Sequence, residues 1–324
     1  MPARPSLAVL MDPLDAIKPA KDSTVAMLAA AARRGCETWC FTQADLSVRD
    51  GRAIARLTPI EVAGKDKDKD KDWYRIGAPV VRPLAGLGAV LMRKDPPFDM
   101  EYIYATYLLE RAEAEGVLVV NRPQGLRDMN EKVYTAWFPD CCAPTLITRD
   151  MDAMGAFLEE HGRIVCKPLE GMGGRSIFVV ATGDKNARVV FETLTAYGTR
   201  YAMVQRYLPE IAESGDARIL LVDGEPVPHA LARIPGPADH RGNLAAGARG
   251  VGRGLTDRER WIAARIGPVM RERGMLFVGL DVIGGFVTEI NVTSPTGIRE
   301  LEAQFGGDIA GSLIDAVLAR LHRP

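Results

Sequence analysis

Residues 279–299 constrain this chain more than any other stretch: Gly-Leu-Asp-Val-Ile-Gly-Gly-Phe-Val-Thr-Glu-Ile-Asn-Val-Thr-Ser-Pro-Thr-Gly-Ile-Arg. Two apolar runs flank Gly284-Gly285, which predicts a β-hairpin. Alternation along a strand puts Leu280, Val282, Phe286, Thr288, Ile290 and Val292 on one face, and Asp281, Glu289 and Asn291 on the other. A two-residue Gly-Gly turn would pair Asp281 with Thr288 and point the acid into the core. A three-residue loop, Ile283 to Gly285, is therefore expected. It pairs Asp281 with Val287, diagonal to Glu289, and glycine supplies the left-handed residue that such a loop needs. Two carboxylates and a carboxamide then form an oxygen-only donor set, suited to Mg²⁺ or Mn²⁺ held together with substrate phosphates. A lone Glu-x-Asn would read as a solvated outer face. Here the following Thr293-Ser294-Pro295-Thr296-Gly297-Ile298-Arg299 adds hydroxyls, a turn and a cation, and the whole predicts a phosphate-and-metal site.

A chain of 324 residues is long enough for two or three domains with their own cores. Its 41 basic and 42 acidic side chains leave a formal net charge of -1, so no global field recruits nucleic acid or an anionic membrane. No apolar run reaches the ~18 residues of a membrane span. The opening Met-Pro-Ala-Arg-Pro-Ser leads into a short strand and not into a signal peptide. The cysteines (Cys36, Cys40, Cys141, Cys142 and Cys166) are odd in number and lack a zinc spacing, which points to a reducing, cytoplasmic compartment.

Leu7 to Leu10 reads as a buried strand, Asp22-Ser23 caps a helix to about Arg34, and Glu37 to Thr42 is a second strand. This start predicts an α/β chain, α+β overall, opening with a parallel sheet whose ligands sit beyond the strands' carboxyl ends. Asp12, just past the first strand, is then either near a cleft or an ordinary turn residue. Ala89 to Met92 and Val117 to Val120 give two more strands around a helix over Glu101 to Glu115, and the first domain closes near residue 125. The Lys-Asp repeat over 65–72 predicts a solvated loop whose charges cancel.

Further on, Asn130 caps a helix through Phe138 that carries Lys132. A strand over Arg163 to Lys167 precedes Glu170-Gly-Met-Gly-Gly-Arg-Ser176, and another strand over Ile177 to Val180 follows. A glycine run between two strands is neither a P-loop nor a Rossmann fingerprint. By itself it fits a plain hairpin turn or an amide nest over phosphates equally, and Lys167 immediately upstream favours the nest. Tyr201 to Tyr207 is a strand, and Asp216 to Val222 and Pro228 to Ile234 pair across Asp223-Gly224-Glu225. Arg218 and Arg233 lie on this pair, and strand arginines need anionic partners. Gly236 to Gly254, rich in glycine and arginine, reads as a mobile, anion-seeking loop or as simple disorder. The histidines are scattered at His161, His229, His240 and His322, so the chemistry expected is phosphate electrostatics without an amino-acid nucleophile.

Two lysines, a glycine flap, a strand acid and an Asp/Glu/Asn face, in this order, resemble the ATP-grasp superfamily. Four strings are similar to those of the bacterial glutathione synthetase family: Leu91-Met-Arg-Lys-Asp-Pro-Pro-Phe-Asp99, Lys167-Pro-Leu-Glu-Gly-Met-Gly-Gly174, Arg241-Gly-Asn-Leu-Ala-Ala-Gly247 and Thr288-Glu-Ile-Asn-Val-Thr-Ser-Pro-Thr296. The resemblance runs from about Leu7 to Leu321. It implies an N-terminal open parallel α/β domain (1–125), followed by a two-subdomain ATP-grasp fold. The first subdomain (126–201) carries the flap, and the second (202–324) carries the metal site and a lid.

The resemblance also implies roles. Lys132 and Lys167 would contact ATP phosphates beneath the flap of Gly171, Gly173 and Gly174. Gln205, Tyr207 and Leu208 would meet adenine and Asp216 the ribose, with Asp281, Glu289 and Asn291 on the metals. Arg218 and Arg233 would be catalytic, facing the reacting carboxyl and the transferred phosphate. Ser294 and Thr296 would border the acceptor site, Arg241 and Asn243 in the lid would meet substrate, and Asp12 joins the substrate residues by its place beyond the first strand. The implied reaction joins γ-glutamylcysteine to glycine with ATP and Mg²⁺ or Mn²⁺, through an acyl phosphate, in a homo-oligomer that the family suggests is a tetramer. Arg175 departs from the pattern, since a small residue is expected after the flap. Another ATP-grasp ligase with different substrates would keep the same phosphate and metal residues. A non-catalytic nucleotide-binding module would have lost an acid from the metal face, and none is missing.

Overall fold

Three sheets organise the chain. A computed structural model describes residues 4–63, 73–171, 173–236 and 248–321. The Lys-Asp repeat, Met172, most of the expected lid (237–247, with His240, Arg241 and Asn243) and His322 lie outside the described residues.

The first sheet holds β1 (Ser6–Leu10), β2 (Glu37–Phe41), β3 (Leu46–Arg49), β4 (Arg52–Val62), β5 (Tyr74–Ile76), β6 (Val80–Pro83), β7 (Ala89–Met92) and β8 (Leu118–Val120). Its parallel part runs β2-β1-β7-β8. β1 is buried on both faces, as its unbroken apolar run requires in a parallel sheet. The chain steps from β1 to β2 on one side and later to β7 on the other, so the winding reverses between β1 and β7. Helix α1 (Ser23–Arg33) starts where Asp22 accepts the Thr24 and Val25 amides, and α2 (Met100–Ala114) starts where Asp99 accepts the Tyr102 amide. The antiparallel strands β3 to β6 were not anticipated. Their signal is a period of two in β4, where buried Ala53, Ala55 and Leu57 alternate with more exposed neighbours.

After α3 (Pro123–Asp128), the expected helix from Asn130 is a 3₁₀ turn over Val133–Trp137. Asn130 does cap it, accepting the Lys132 and Val133 amides, but this leaves Lys132 at the turn's threshold and not inside a helix. The second sheet is antiparallel, ordered β11 (Phe178–Ala181), β10 (Arg163–Pro168), β12 (Ala202–Arg206), β9 (Thr145–Thr148). Helices α4 (Met151–His161) and α5 (Ala187–Thr195) bury Met154, Leu158, Phe191 and Leu194 against it. β12 pairs with β10 and β9, so it belongs to this sheet.

The third sheet is antiparallel, ordered β15 (Arg249–Gly254), β14 (Glu225–Ile234), β13 (Asp216–Val222), β16 (Phe277–Ile283), β17 (Phe286–Asn291). The short α6 (Glu210–Ser214) leads into it, and α7 (Asp257–Glu272) covers one face. β15 falls within the segment expected to be a mobile loop. It is ordered because every residue pairs with β14 from His229 to Ile234, and because glycine keeps its outer side flat. A Cβ at Gly252 would come within 2.2 Å of Phe305 on α8 (Ile298–Phe305). The last helix, α9 (Ile309–Leu321), returns to the first sheet and packs beside α1. Arg34 forks onto Asp315 at 2.6 and 2.7 Å, and Arg33 reaches Asp308 at 2.9 Å.

Candidate active site

The β16–β17 hairpin places its acids by a route other than the one expected. The turn is Gly284-Gly285 alone, with both φ values positive at 57° and 79°, as two-residue hairpin turns require. Ile283 pairs with Phe286 and Val282 with Val287. The register then slips, so that Asp281 faces Glu289 and Gly279 faces Asn291. A bulge at Thr288, not a longer loop, supplies the odd residue. This corrects two placements. Val287, and not Phe286, enters the core, while Phe286 lies on the side of Ile283 beneath the Arg206 guanidinium. Thr288 leaves the apolar face, lines the cavity described below, and donates to the Asp281 carbonyl at 3.3 Å.

Cross-strand register assembles the charges. Asp216 and Arg218 share a face of β13; Arg233 on β14 opposes Asp216, and Asp281 on β16 opposes Arg218. Arg218 grips Asp281 with two bonds, Nε to Oδ1 at 2.5 Å and Nη2 to Oδ2 at 2.9 Å. Arg233 bridges Asp216 and Asp281, and lies 2.9 Å from Asp281 Oδ2. Asn291 Nδ2 donates to the same oxygen at 3.2 Å. A Cβ at Gly279 would sit 2.9 Å from Arg218 Cδ, so glycine there leaves the guanidinium its path. Burial works to raise the Asp281 carboxyl, but Arg218 and Arg233 outweigh it and hold the group well below the usual carboxylate range. Asp216 is pushed up to about 6 by burial, against the pull of Arg233, and its Oδ1 is buried without a partner among the described residues.

Both lysines face this cluster. Lys167, buried at the end of β10, donates to Gln205 Oε1 at 3.3 Å, and burial lowers its pKa. Lys132 Nζ donates to Glu131 Oε1 at 2.7 Å and to the Gly171 carbonyl at 3.2 Å, and lies 3.7 Å from Glu289 Oε1. Burial opposes the Lys132 charge, but Glu289 and Glu131 overcome it and raise the pKa. Glu131 was missed from sequence. Its only signal is adjacency to Lys132, and its carbonyl, accepting from Ile290 N at 2.8 Å, ties the segment to β17.

Between the two antiparallel sheets lies a cavity of about 820 Å³, within the usual range for small-molecule sites. Of the expected residues, Lys167, Gly174, Gln205, Tyr207, Leu208, Asp216, Asp281 and Glu289 line it. Lys132, Arg218, Arg233 and Asn291 bond to or approach that set, Gly171 joins through its carbonyl, and Gly173 lies in the same flap turn with φ 70°. Thr296 offers its carbonyl to Arg218 Nη1 at 3.3 Å. Asp12 and Ser294 do not line this cavity. They meet elsewhere, on Asp95: Ser294 Oγ donates to Asp95 Oδ1 at 2.5 Å, and Asp95 N to Asp12 Oδ2 at 2.9 Å. Arg93, Lys94 and Asp95 were quoted in sequence only as part of a similar string, with no role.

Among the described residues no three His, Cys, Asp or Glu side chains form a ready metal cage. The donors nonetheless fit a hard cation. Asp281 and Glu289 face each other, Asn291 adds a carboxamide, and the orphaned Asp216 Oδ1 marks a buried demand for positive charge. Magnesium characteristically takes one or two carboxylates and completes its shell with phosphate oxygens and water.

Two antiparallel sheets closing on a cavity, with Lys167 on one, an acid–arginine cluster on the other and Lys132 on the 3₁₀ turn beside them, define the ATP-grasp class. Solved structures share the fold: D-cycloserine synthetase DcsG gives a TM-score of 0.68 at 17% identity over 98% of this chain and 99% of that one. The ATP-grasp ligase PsnB, solved with its minimal precursor, Mg and ADP, gives 0.61 at 18% identity over 98% of each chain. Sequence likeness narrows the class. Residues 6–127 match the prokaryotic glutathione synthetase N-terminal domain, and residues 131–306 match the ATP-grasp domain of the same family. The glutathione synthetase of Pseudomonas putida is 53% identical over 315 residues, covering 97% of this chain and 98% of that protein. That of an Escherichia coli strain is 54% identical over 317 residues, covering 98% and 99%. The chain belongs to the prokaryotic glutathione synthetase family.

Proposed function

We infer that this chain makes glutathione, ligating glycine to γ-glutamylcysteine with ATP and releasing ADP and phosphate. Family membership along nearly its whole length supports the reaction. The observation that carries the mechanism is the buried set of four cations, Lys132, Lys167, Arg218 and Arg233, interleaved with Asp216, Asp281 and Glu289 beside a nucleotide-sized cavity.

In this reading Lys132 and Lys167 hold the ATP phosphates, with the flap glycines Gly171, Gly173 and Gly174 above them, their amides toward the phosphates. Gln205, Tyr207 and Leu208 border adenine, and Asp216 takes the ribose. A cysteinyl carboxylate oxygen attacks the γ-phosphorus, the bond to ADP breaks, and an acyl phosphate forms. Glycine's amine then attacks the acyl carbon, and phosphate leaves with the C–O electron pair. Negative charge grows on phosphoryl oxygens in the first step and on the carbonyl oxygen in the second, where Arg218 and Arg233 stand ready. Their partners hold them in place beforehand, so little reorganisation remains for the reaction itself. A divalent cation, Mg²⁺ or Mn²⁺, on Asp281, Glu289 and Asn291 would neutralise the phosphate charge. Ser294, Thr296 and Asp12 border the amino-acid substrates in this reading, together with Arg241 and Asn243. The same reading takes 1–125, 126–201 and 202–324 as the working units, in a cytoplasmic homo-oligomer.

ADP release by the purified protein, with Mg²⁺-ATP, γ-glutamylcysteine and glycine omitted one at a time, tests the reading. Release that needs every component, with glutathione formed in equal amount, is expected. Release with other carboxylate–amine pairs but not this one would keep the ligase and discard the substrates.

A further inference from the structure

The reversal of winding between β1 and β7 opens a crevice beyond their carboxyl ends, the place where open α/β sheets bind ligands. Three side chains not used above, or used only in part, meet there. Asp12 follows β1, and Lys94 and Asp95 follow β7. Lys94 Nζ lies 2.8 Å from Asp12 Oδ1 and donates to the Asp95 carbonyl at 2.6 Å. Asp95 is exposed, and Lys94 and Asp12 are partly so, with 19% and 24% of their side chains accessible. Asp95 Oδ1 takes the Ser294 hydroxyl, and its second oxygen meets no donor among the described residues. The loop that brings Ser294 is fixed from beneath by Arg93, whose Nη2 donates to the Pro295 carbonyl at 3.0 Å.

That loop also sets a distance. Thr296, two residues beyond Ser294, gives its carbonyl to Arg218 in the phosphate cluster. Two residues span at most roughly 7 Å of chain, so a substrate the length of a dipeptide can touch crevice and phosphate cluster together. γ-Glutamylcysteine has this reach, and its far end carries an ammonium and a carboxylate on one carbon. The crevice offers an open carboxylate oxygen and a lysine to match.

We propose that Asp95 and Lys94 form the subsite for the free α-amino-acid end of the γ-glutamyl donor, Asp95 taking its ammonium and Lys94 its carboxylate, with Asp12 holding Lys94 in place. This rests on the reaction inferred above. The donor is then anchored at both ends, with its cysteinyl carboxyl held at Arg218 and Arg233. Glycine's site is left to the phosphate side.

The test uses the whole enzyme and three donors: γ-glutamylcysteine, glutaryl-cysteine, which lacks only the ammonium, and 4-aminobutanoyl-cysteine, which lacks only the α-carboxylate. Glutathione formation by the unmodified enzyme comes first; its failure would overturn the inferred reaction and, with it, this donor subsite, whereas the variants below address the subsite alone. Given that activity, Lys94→Met should raise KM for γ-glutamylcysteine about tenfold or more, the size expected for one charge-assisted contact, and leave KM for 4-aminobutanoyl-cysteine within twofold. Asp95→Asn should do the reverse, penalising γ-glutamylcysteine and sparing glutaryl-cysteine. KM for ATP and glycine should hold in both. Equal penalties on all three donors, or a rise in KM for glycine instead, would overturn the proposal. Thermal melting of each variant separates misfolding from lost recognition, and either variant alone suffices if the other does not fold.

Discussion

At Asp281 two guanidiniums, a carboxamide and the facing Glu289 converge on one carboxylate. Arginine partners for Asp281 and Asp216 were legible only as a demand, since strand arginines need acids. Which acid met which arginine depended on register. Glu289 is the better place to test the metal set, because its nearest cation, Lys132, is already bonded to Glu131. Glu289→Ala is expected to lower kcat at least about a hundredfold, through lost phosphate-charge stabilisation of several kcal/mol, while the melting temperature stays close to that of the parent. A folded variant with near-normal turnover would remove Glu289 from the metal set.

Among the elements, the hairpin shows what a period of two can and cannot decide. Alternation was right to place Asp281 and Glu289 on one face and Leu280 and Ile290 on the other. It could not separate an odd loop from a bulge, because both shift register by one residue and only backbone pairing distinguishes them. β15 was misjudged for a related reason: a Gly-Arg run has no strand propensity of its own, and the edge of β14 supplies its order. At its end, Arg253 clamps buried Glu259 at 2.8 and 2.6 Å, and the Thr256 amide donates to the same carboxylate. Burial works to raise the Glu259 carboxyl, but these bonds prevail and depress it below 4.5. A depressed carboxyl stabilises the fold above its unfolded-state value and loses that effect as pH falls through the folded one. Glu259→Gln should therefore cost most stability near neutrality, and the gap from the parent should narrow below about pH 4.5. Denaturant midpoints across pH would show it; a gap that widens in acid would contradict the ion pair.

For the molecule as a whole, Asn121 bolts the first sheet to the third. Its carboxamide donates to the Phe277 and Val292 carbonyls at 2.7 and 2.6 Å and accepts the Phe277 amide at 3.0 Å. Asn121→Ala would strand buried backbone groups and should cost about 3 kcal/mol in chemical unfolding, with KM for γ-glutamylcysteine rising as the crevice between the two parts loosens. No change in either would mean that Asn121 does not hold the sheets together. The sequence by itself determined the residue types of the site, the parallel opening sheet, the glycine flap and the hairpin that carries the acids, because these follow from local periodicity, turn chemistry and a family resemblance. Only the tertiary structure decided the bulge at Thr288, the return of α9 to α1, and the meeting of Asp12, Lys94 and Asp95 with Ser294. Those contacts join residues up to 281 positions apart, and no local pattern encodes them. They arise when separately formed sheets bury their remaining faces against each other.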